Sequence, residues 1–188
     1  MLNRKNLRLI LTVMIIAVSA YSTQRLSAQE TQTLSSKKQA EWDKKVTDDF
    51  NAKAAQNPKG IDLFKAANEG DIKKIQELIA QGADINILTG IMGMETTPLS
   101  AAANKGDLDV VKILVENGAD INKPGFAGWP PIGQAATNGH INVVKYLIEK
   151  GANVNFVLTP EQGRSILDLA SNHPEIVQLL KEAGAKND

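Results

Sequence analysis

Four stretches of the chain share one pattern of apolar and polar positions. Residues 63–69 read LFKAANE, 99–105 read LSAAANK and 132–138 read IGQAATN, each a short run rich in alanine. Each then meets a glycine turn and a second, more apolar run: GDIKKIQELIAQGAD, GDLDVVKILVENGAD and GHINVVKYLIEKGAN. A degenerate fourth copy, SILDLASNHPEIVQLLKEAGAK, starts at Ser165 with two residues deleted before its turn. Apolar positions three and four residues apart predict helices, so each unit should hold two short helices. The closing GADIN occurs at Gly82 and Gly118, GANVN follows at Gly151 and GAK at Gly184, at intervals of 36, 33 and 33 residues. A helix pair repeating at that period marks a solenoid.

The residues at the joints fit that reading. Gly82, Gly118, Gly151 and Gly184 each end an apolar run, where a left-handed residue without a Cβ satisfies the last helix carbonyls. Gly70, Gly106 and Gly139 should turn each first helix into its second, with Asn172 taking the same conformation in the fourth copy. Asp71 and Asp107 then stand as N-caps, Pro174 as a first helical residue, and Thr97-Pro98 as the opening of its helix. Charge marks the ends of the array. One core column reads Lys74, Val110, Val143, Ile176 and another reads Ile79, Val115, Ile148, Lys181. Terminal units of a solenoid need polar outer faces, so these two lysines identify the two caps.

Upstream of the array, Trp42, Val46, Phe50 and Ala54 recur every four residues and predict an amphipathic helix lying on the first repeat, ended by Asn57-Pro58-Lys59-Gly60. The first 28 residues have another character: Arg4, Lys5 and Arg8 precede an apolar run at 9–20 and then a stretch of small residues. That order predicts an export signal. The 12-residue run falls short of the roughly 20 needed to span a bilayer. Cleavage after Ala28 is preferred and after Ala20 is the alternative, with an uncleaved membrane anchor as the competing reading. The mature protein is then periplasmic or, alternatively, extracellular, and meets the membrane only through the signal segment.

The units resemble ankyrin repeats, whose pattern is a Thr-Pro-Leu-His start, an Ala-Ala helix, a Gly-His turn and a Gly-Ala-Asp-Val-Asn exit. The resemblance runs over about residues 61–186 and identifies the chain as a member of that family. It implies an all-α fold, an ankyrin-repeat solenoid of four helix-turn-helix repeats with an N-terminal capping helix. The expected domains are a signal peptide at 1–28, a charged spacer and helix at 29–60, and repeats at about 61–96, 97–129, 130–164 and 165–188. The family's His after Thr-Pro-Leu is missing throughout, replaced by Phe64, Ser100, Gly133 and Asp168. Its hydrogen bonds must be replaced or lost.

Composition then narrows the chemistry. With no cysteine, disulfides, thiol nucleophiles and thiolate metal sites are excluded. Residues 1–28 hold four basic residues and no acid, which leaves 17 basic against 21 acidic residues, a balance of −4. A nucleic-acid footprint would need the opposite sign. The two histidines, His140 and His173, sit one repeat apart at the turn position that the family also favours. Helices packed about 8–10 Å apart place them poorly for a shared metal, so they are read as turn residues. No nucleophile triad forms without them, no phosphate loop is present, and Asp48-Asp49 reads as solvated charge. The protein is therefore expected to have no catalytic residues, cofactor or metal.

A repeat stack instead offers an extended surface of first helices and exit loops. The loops ILTGIMGMET, KPGFAGWPP and FVLTPEQG place Ile91, Met92, Met94, Phe126, Trp129, Phe156 and Leu158 along one edge. Such side chains at a rim suit protein recognition, though a loop aromatic can also pack on its own hairpin. The expected partner-binding set is Met92, Met94, Phe126, Trp129, Phe156 and Leu158, with Asn104, Lys105, Thr137 and Asn138 beside them. Lys112, Glu116, Lys145 and Glu149 should point away on the second helices. The function expected is a non-catalytic scaffold that holds, inhibits or protects another protein, as an immunity protein does. The alternative class is a hydrolase with an unrecognised carboxylate pair.

Overall fold

The computed structural model describes residues 44–45, 48, 56–90, 95–157 and 164–186. The chain divides into two units, Met1–Lys45 and Val46–Asp188. In the first, Lys44 and Lys45 are helical. The export segment and the helix expected through Trp42, Val46, Phe50 and Ala54 lie outside the described residues.

The second unit carries four helix pairs: α1 (Pro58–Glu69) with α2 (Ile72–Ala80), α3 (Pro98–Lys105) with α4 (Leu108–Glu116), α5 (Pro131–Thr137) with α6 (Ile141–Glu149), and α7 (Ile166–Leu169) with α8 (Pro174–Glu182). First helices pack on first helices, α1 on α3, α3 on α5 and α5 on α7, and the second helices form a parallel row behind them. The architecture is the all-α solenoid that the periodicity predicts.

Local chemistry sets each start. Thr97 Oγ1 accepts from the Ser100 amide at 3.1 Å, and Asp71 and Asp107 accept from the Lys74 and Val110 amides at 3.0 and 3.2 Å. Each satisfies one of the amides that a helix N-terminus leaves without a partner. Asn57 does the same for Gly60 at 3.0 Å, with Pro58 in the first turn. Asn57-Pro58 therefore opens α1. Gln56 before it is helical and Asn57 is not, so the same residues also stand between two helical stretches, and the first helix of the array begins at Pro58, ahead of residue 61.

A correction concerns Asn172. Gly70, Gly106 and Gly139 are left-handed at φ 81, 78 and 77, as expected. Each is followed by an amide bond five residues back, such as Asp107 N–H to the Ala102 carbonyl at 3.1 Å. In the fourth repeat α7 is a single turn, and the His173 N–H reaches only three residues back, to Ala170 at 2.7 Å. That tighter turn needs no left-handed residue. Among the described residues the one non-glycine with positive φ is Ala127, so Asn172 does not take the conformation.

The core runs unbroken through the stack. Leu99 and Ile132 at the helix starts, the Ala102-Ala103 and Ala135-Ala136 pairs, and Val110, Leu114, Val143 and Leu147 behind them are all essentially inaccessible. Alanine on the first helices lets successive backbones approach, while the branched residues of the second helices fill the space behind. Lys74, in register with buried Val110 and Val143, and Lys181, in register with the half-buried Val115 and Ile148, are exposed at the two ends.

Candidate partner-binding edge

The exit loops are held side by side by asparagine. Asn86 accepts the Asp120 N–H on Oδ1 at 2.7 Å and donates Nδ2 to the Gly118 carbonyl at 3.3 Å, both in the next repeat. Asn122 accepts the Asn153 N–H at 2.8 Å, and Asn155 accepts the Lys186 N–H at 2.9 Å and donates to the Gly184 carbonyl at 3.2 Å. Each clamp is itself aimed by its own loop: Asp84, Asp120 and Asn153 accept the backbone amides of Asn86, Asn122 and Asn155 at 2.9, 2.9 and 3.0 Å. GADIN is thus a helix stop, an Asx turn and an inter-repeat clamp in five residues. The sequence shows the repetition but not the clamp, whose partners lie 29–34 residues away.

A second set of bonds joins the far ends of the first helices. The carbonyls of Asn68, Asn104 and Thr137 accept in turn from Lys105 Nζ, from His140 Nε2 at 2.9 Å and from His173 Nε2 at 3.2 Å. Carbonyls at a helix C-terminus have no partner within the helix, and here the next repeat supplies one. Both rings donate through Nε2, so neither histidine caps its own helix. They serve as joints of the turn. Asn138 adds a bond from Nδ2 to Asn104 Oδ1 at 2.9 Å.

The loop of the second repeat forms a hook. The Gly125 N–H donates to the Trp129 carbonyl at 2.9 Å, and Gln134 Nε2 donates to the Phe126 carbonyl at 2.6 Å. Between them Phe126–Gly128 makes one 3-10 turn, with Ala127 left-handed at φ 56, ψ 23. The bases of the flanking loops are closed by antiparallel bridges, Thr89 with Thr96 and Val157 with Ser165.

Trp129 is not a rim residue. It is 8 % exposed, belongs to the core cluster and meets Phe156 edge-on at 6.1 Å between ring centres. This corrects its assignment as a partner anchor. Gly133 lies close below: a Cβ there would stand 3.2 and 3.3 Å from the Ile166 and Leu169 side chains of the next repeat and 3.4 Å from the Trp129 Cβ. Phe126 and Phe156 are half-buried, while Asn104, Lys105, Thr137 and Asn138 are exposed. Met92, Met94, Leu158 and Ile91 lie outside the described residues. Leu88, at 40 % exposure, is a further apolar edge residue, absent from the expected set.

The predicted set therefore falls into two groups. Phe126 and Phe156 stand in the loops, and the amide and hydroxyl residues stand at the other end of the first helices. An eight-residue helix such as α3 separates the groups by about 12 Å. On the opposite side, Glu116, Lys145 and Glu149 are exposed on the second helices.

At the position where a Thr-Pro-Leu-His start would place its His, each repeat has its own substitute. Asp168 forms a reciprocal capping box with Ser165, accepting its N–H at 2.7 Å and its hydroxyl at 2.8 Å. Those bonds, backbone first, hold the Asp168 carboxyl below the usual carboxylate range, and nearby Arg164 adds to the effect. Ser100 is buried beside Gly125 with its hydroxyl unpaired, and Phe64 joins Ile61 and Ile87 in a small separate cluster. Tyr146 on α6 is raised above the ordinary phenol range by burial and then by Glu116 and Glu149. Among the described residues no three His, Asp or Glu side chains converge to hold a metal ion.

The family model described as ankyrin repeats (3 copies) matches residues 63–157 and, overlapping them, 122–188. A comparison with curated proteins gives no match.

Proposed function

The chain belongs to the ankyrin-repeat family, a family of protein–protein interaction scaffolds, and from that premise we propose that it holds one partner protein along the edge of its exit loops. Its action is to occupy, shield or inhibit that partner, with no bond made or broken.

The observation that carries this reading is the hook at Phe126–Gly128. A left-handed alanine costs about 1 kcal/mol or more, and strained backbone of this kind concentrates at ligand clamps and binding loops. The hook is also preorganised, tied at Phe126 and at Gly125, and a loop already fixed loses less entropy on binding. Phe126 is the centre of the proposed contact, Leu88 and Phe156 are its described flanks, and Met92, Met94 and Leu158 extend it on sequence grounds. Trp129 supports the hook from below. Asn104, Lys105, Thr137 and Asn138 form an outlying polar group that a partner reaches only by spanning the first helices.

The proposal includes export: the basic, apolar and small-residue order of residues 1–28 supports a cleaved signal and a periplasmic protein. Intact mass of the envelope fraction checks it. A soluble species starting at Gln29, or at Tyr21, is expected, and a full-length chain pelleting with membranes overturns it.

The contact is tested with a partner recovered from the same compartment. Phe126→Ala should weaken binding by about 2 kcal/mol, the scale of a buried aromatic anchor, while Lys112→Ala and Glu149→Ala leave it unchanged. Loss of affinity in the second-helix variants instead, with all three folded by circular dichroism, removes the loop edge as the working surface.

A further inference from the structure

We propose that Asn138-Gly139 is a site of spontaneous deamidation that the packed stack holds closed. Two Asn-Gly pairs occur at helix ends, Asn117-Gly118 after α4 and Asn138-Gly139 after α5. Glycine after asparagine leaves the backbone nitrogen unshielded by a Cβ. In the reaction the Gly139 nitrogen attacks Asn138 Cγ. The new C–N bond closes a five-membered imide as the Cγ–Nδ2 bond breaks and ammonia leaves with the amide proton. Water then adds to either imide carbonyl and opens the ring to aspartate or to isoaspartate. One water enters, one ammonia leaves, and no oxidant is involved.

The folded geometry opposes every part of the first step. Asn138 has φ −95 and ψ 3, and Asn117 has φ −99 and ψ 15. At ψ near zero the next nitrogen eclipses the residue's own nitrogen, whereas ring closure requires it to eclipse Cβ. The attacking amides are occupied as well: the Gly139 N–H donates to Ala136 at 3.3 Å and the Gly118 N–H to Val115 at 3.1 Å.

The two sites differ in what must open. Asn117 Nδ2 bonds only to the Ile113 carbonyl at 2.8 Å, within its own helix. Asn138 Nδ2 bonds to the Gln134 carbonyl at 2.9 Å and also across the repeats to Asn104 Oδ1 at 2.9 Å. Fraying of α4 therefore frees Asn117, while Asn138 is released only when the junction between the second and third repeats loosens. Once formed, an aspartate at 138 turns a carboxylate toward two acceptors, and isoaspartate lengthens the turn by one backbone atom. Reaction thus fixes the junction in its loosened form. The new charge also falls in the outlying polar group of the proposed contact, a consequence that rests on that reading. The chemistry itself does not.

Peptide mapping by mass after incubation at mildly alkaline pH tests the proposal without any partner. In urea both sites should react at similar rates. In the folded protein both should slow by about tenfold or more, since reaction then waits on local opening, and Asn138 should be the slower. Asn104→Ala should speed Asn138 several-fold and leave Asn117 unchanged in the same sample. Folded protein reacting at Asn138 at the urea rate overturns the proposal. So does an Asn104→Ala variant in which Asn138 is unaffected, or in which both sites accelerate together through general unfolding.

Discussion

The third and fourth repeats reach the same joint by different routes. In the third, α5 runs seven residues, Gly139 turns left-handed, and the His140 amide bonds five residues back to Ala135 at 2.9 Å. In the fourth, α7 has four residues, Ser165 and Asp168 lock its start, and the chain turns through a bond of three residues. Yet His140 and His173 each put Nε2 on a last-turn carbonyl of the preceding first helix, Asn104 and Thr137, and Asn153 and Lys186 each give their amide to the preceding clamp asparagine. What faces the previous repeat is kept, and what lies inside the repeat is free to change. In a stack where each unit contacts only its neighbours, the interface terms carry much of the stability.

The comparison breaks most visibly at the turns. A Cβ added at Gly139 would lie 2.6 Å from Cε1 of His173, and one at Gly106 would overlap the His140 ring. Gly139→Ala should cost about 2–3 kcal/mol, the left-handed penalty plus the loss of the bond from His173 to Thr137. Asn172→Ala, at the matching position of the fourth repeat, should change stability by less than about 0.5 kcal/mol. Gly118→Ala separates the two causes, since φ is 92 there with nothing within 4 Å of the added Cβ. It should show the conformational penalty alone, about 1–2 kcal/mol. Urea denaturation of the three variants measures the series, and equal losses at Gly139 and Asn172 would mean that the fourth turn also holds a left-handed residue.

The clamps give the next effect. Asn86→Ala removes one accepted and one donated bond across the first junction, and Asn155→Ala removes the same pair across the last. Each should cost about 1–2 kcal/mol at net values near 1 kcal/mol per bond. The sharper readout is where the loss appears. Hydrogen exchange should speed across α7 and α8 in Asn155→Ala and across α1 and α2 in Asn86→Ala, because a terminal unit that loses its interface opens first. Uniform acceleration in both would contradict nearest-neighbour coupling.

Those two tests also divide what the sequence disclosed from what it withheld. Period, helix pairs, glycine stops and the lysine caps were legible because each rests on a residue's own backbone preference or on local periodicity. The role of Asn86 was not, since its partners are Gly118 and Asp120 and no local preference points to them. Alignment with Gly139 suggests a left-handed Asn172, but the two residues missing before the turn shorten α7 and change the bond that closes it. An exit loop is a surface element, which points to the rim for Trp129, but its ring packs in the core against Phe156 of the next repeat, a contact that no local spacing records. The candidate site was legible as a set of loops and not as a set of side chains.

The start of the fourth repeat has a pH signature that the third lacks. Asp168 is held below the usual carboxylate range by the Ser165 backbone amide and then its hydroxyl. A carboxylate lowered in the folded state contributes stability above its unfolded value near 4 and loses that contribution as pH falls through the folded value. The fourth repeat should therefore loosen ahead of the third on acidification, seen as earlier exchange in α7. Ser165→Ala should bring the Asp168 titration, followed by carboxyl NMR, back toward the ordinary range. The backbone bond remains in that variant, so the return is partial, and an unmoved titration would show that the hydroxyl half of the capping box does not form in solution.

The smallest expected change lies in the hook. Ala127 holds φ 56 without glycine's freedom, at a cost of about 1 kcal/mol. Glycine there relieves that cost but gives back roughly 0.5–1 kcal/mol of backbone entropy on folding. Ala127→Gly should thus move stability by no more than about 0.5 kcal/mol, and Ala127→Val, whose branched Cβ suits the region worst, should lose more than 1 kcal/mol. The pair also tests why alanine stands there. If the strained, tied loop is preorganised for a partner, glycine leaves folding untouched yet weakens binding, because the hook must then be ordered as the complex forms. Unchanged affinity in Ala127→Gly, alongside a stable fold, would reduce the left-handed alanine to a feature of the loop's own packing on Trp129 and Gln134.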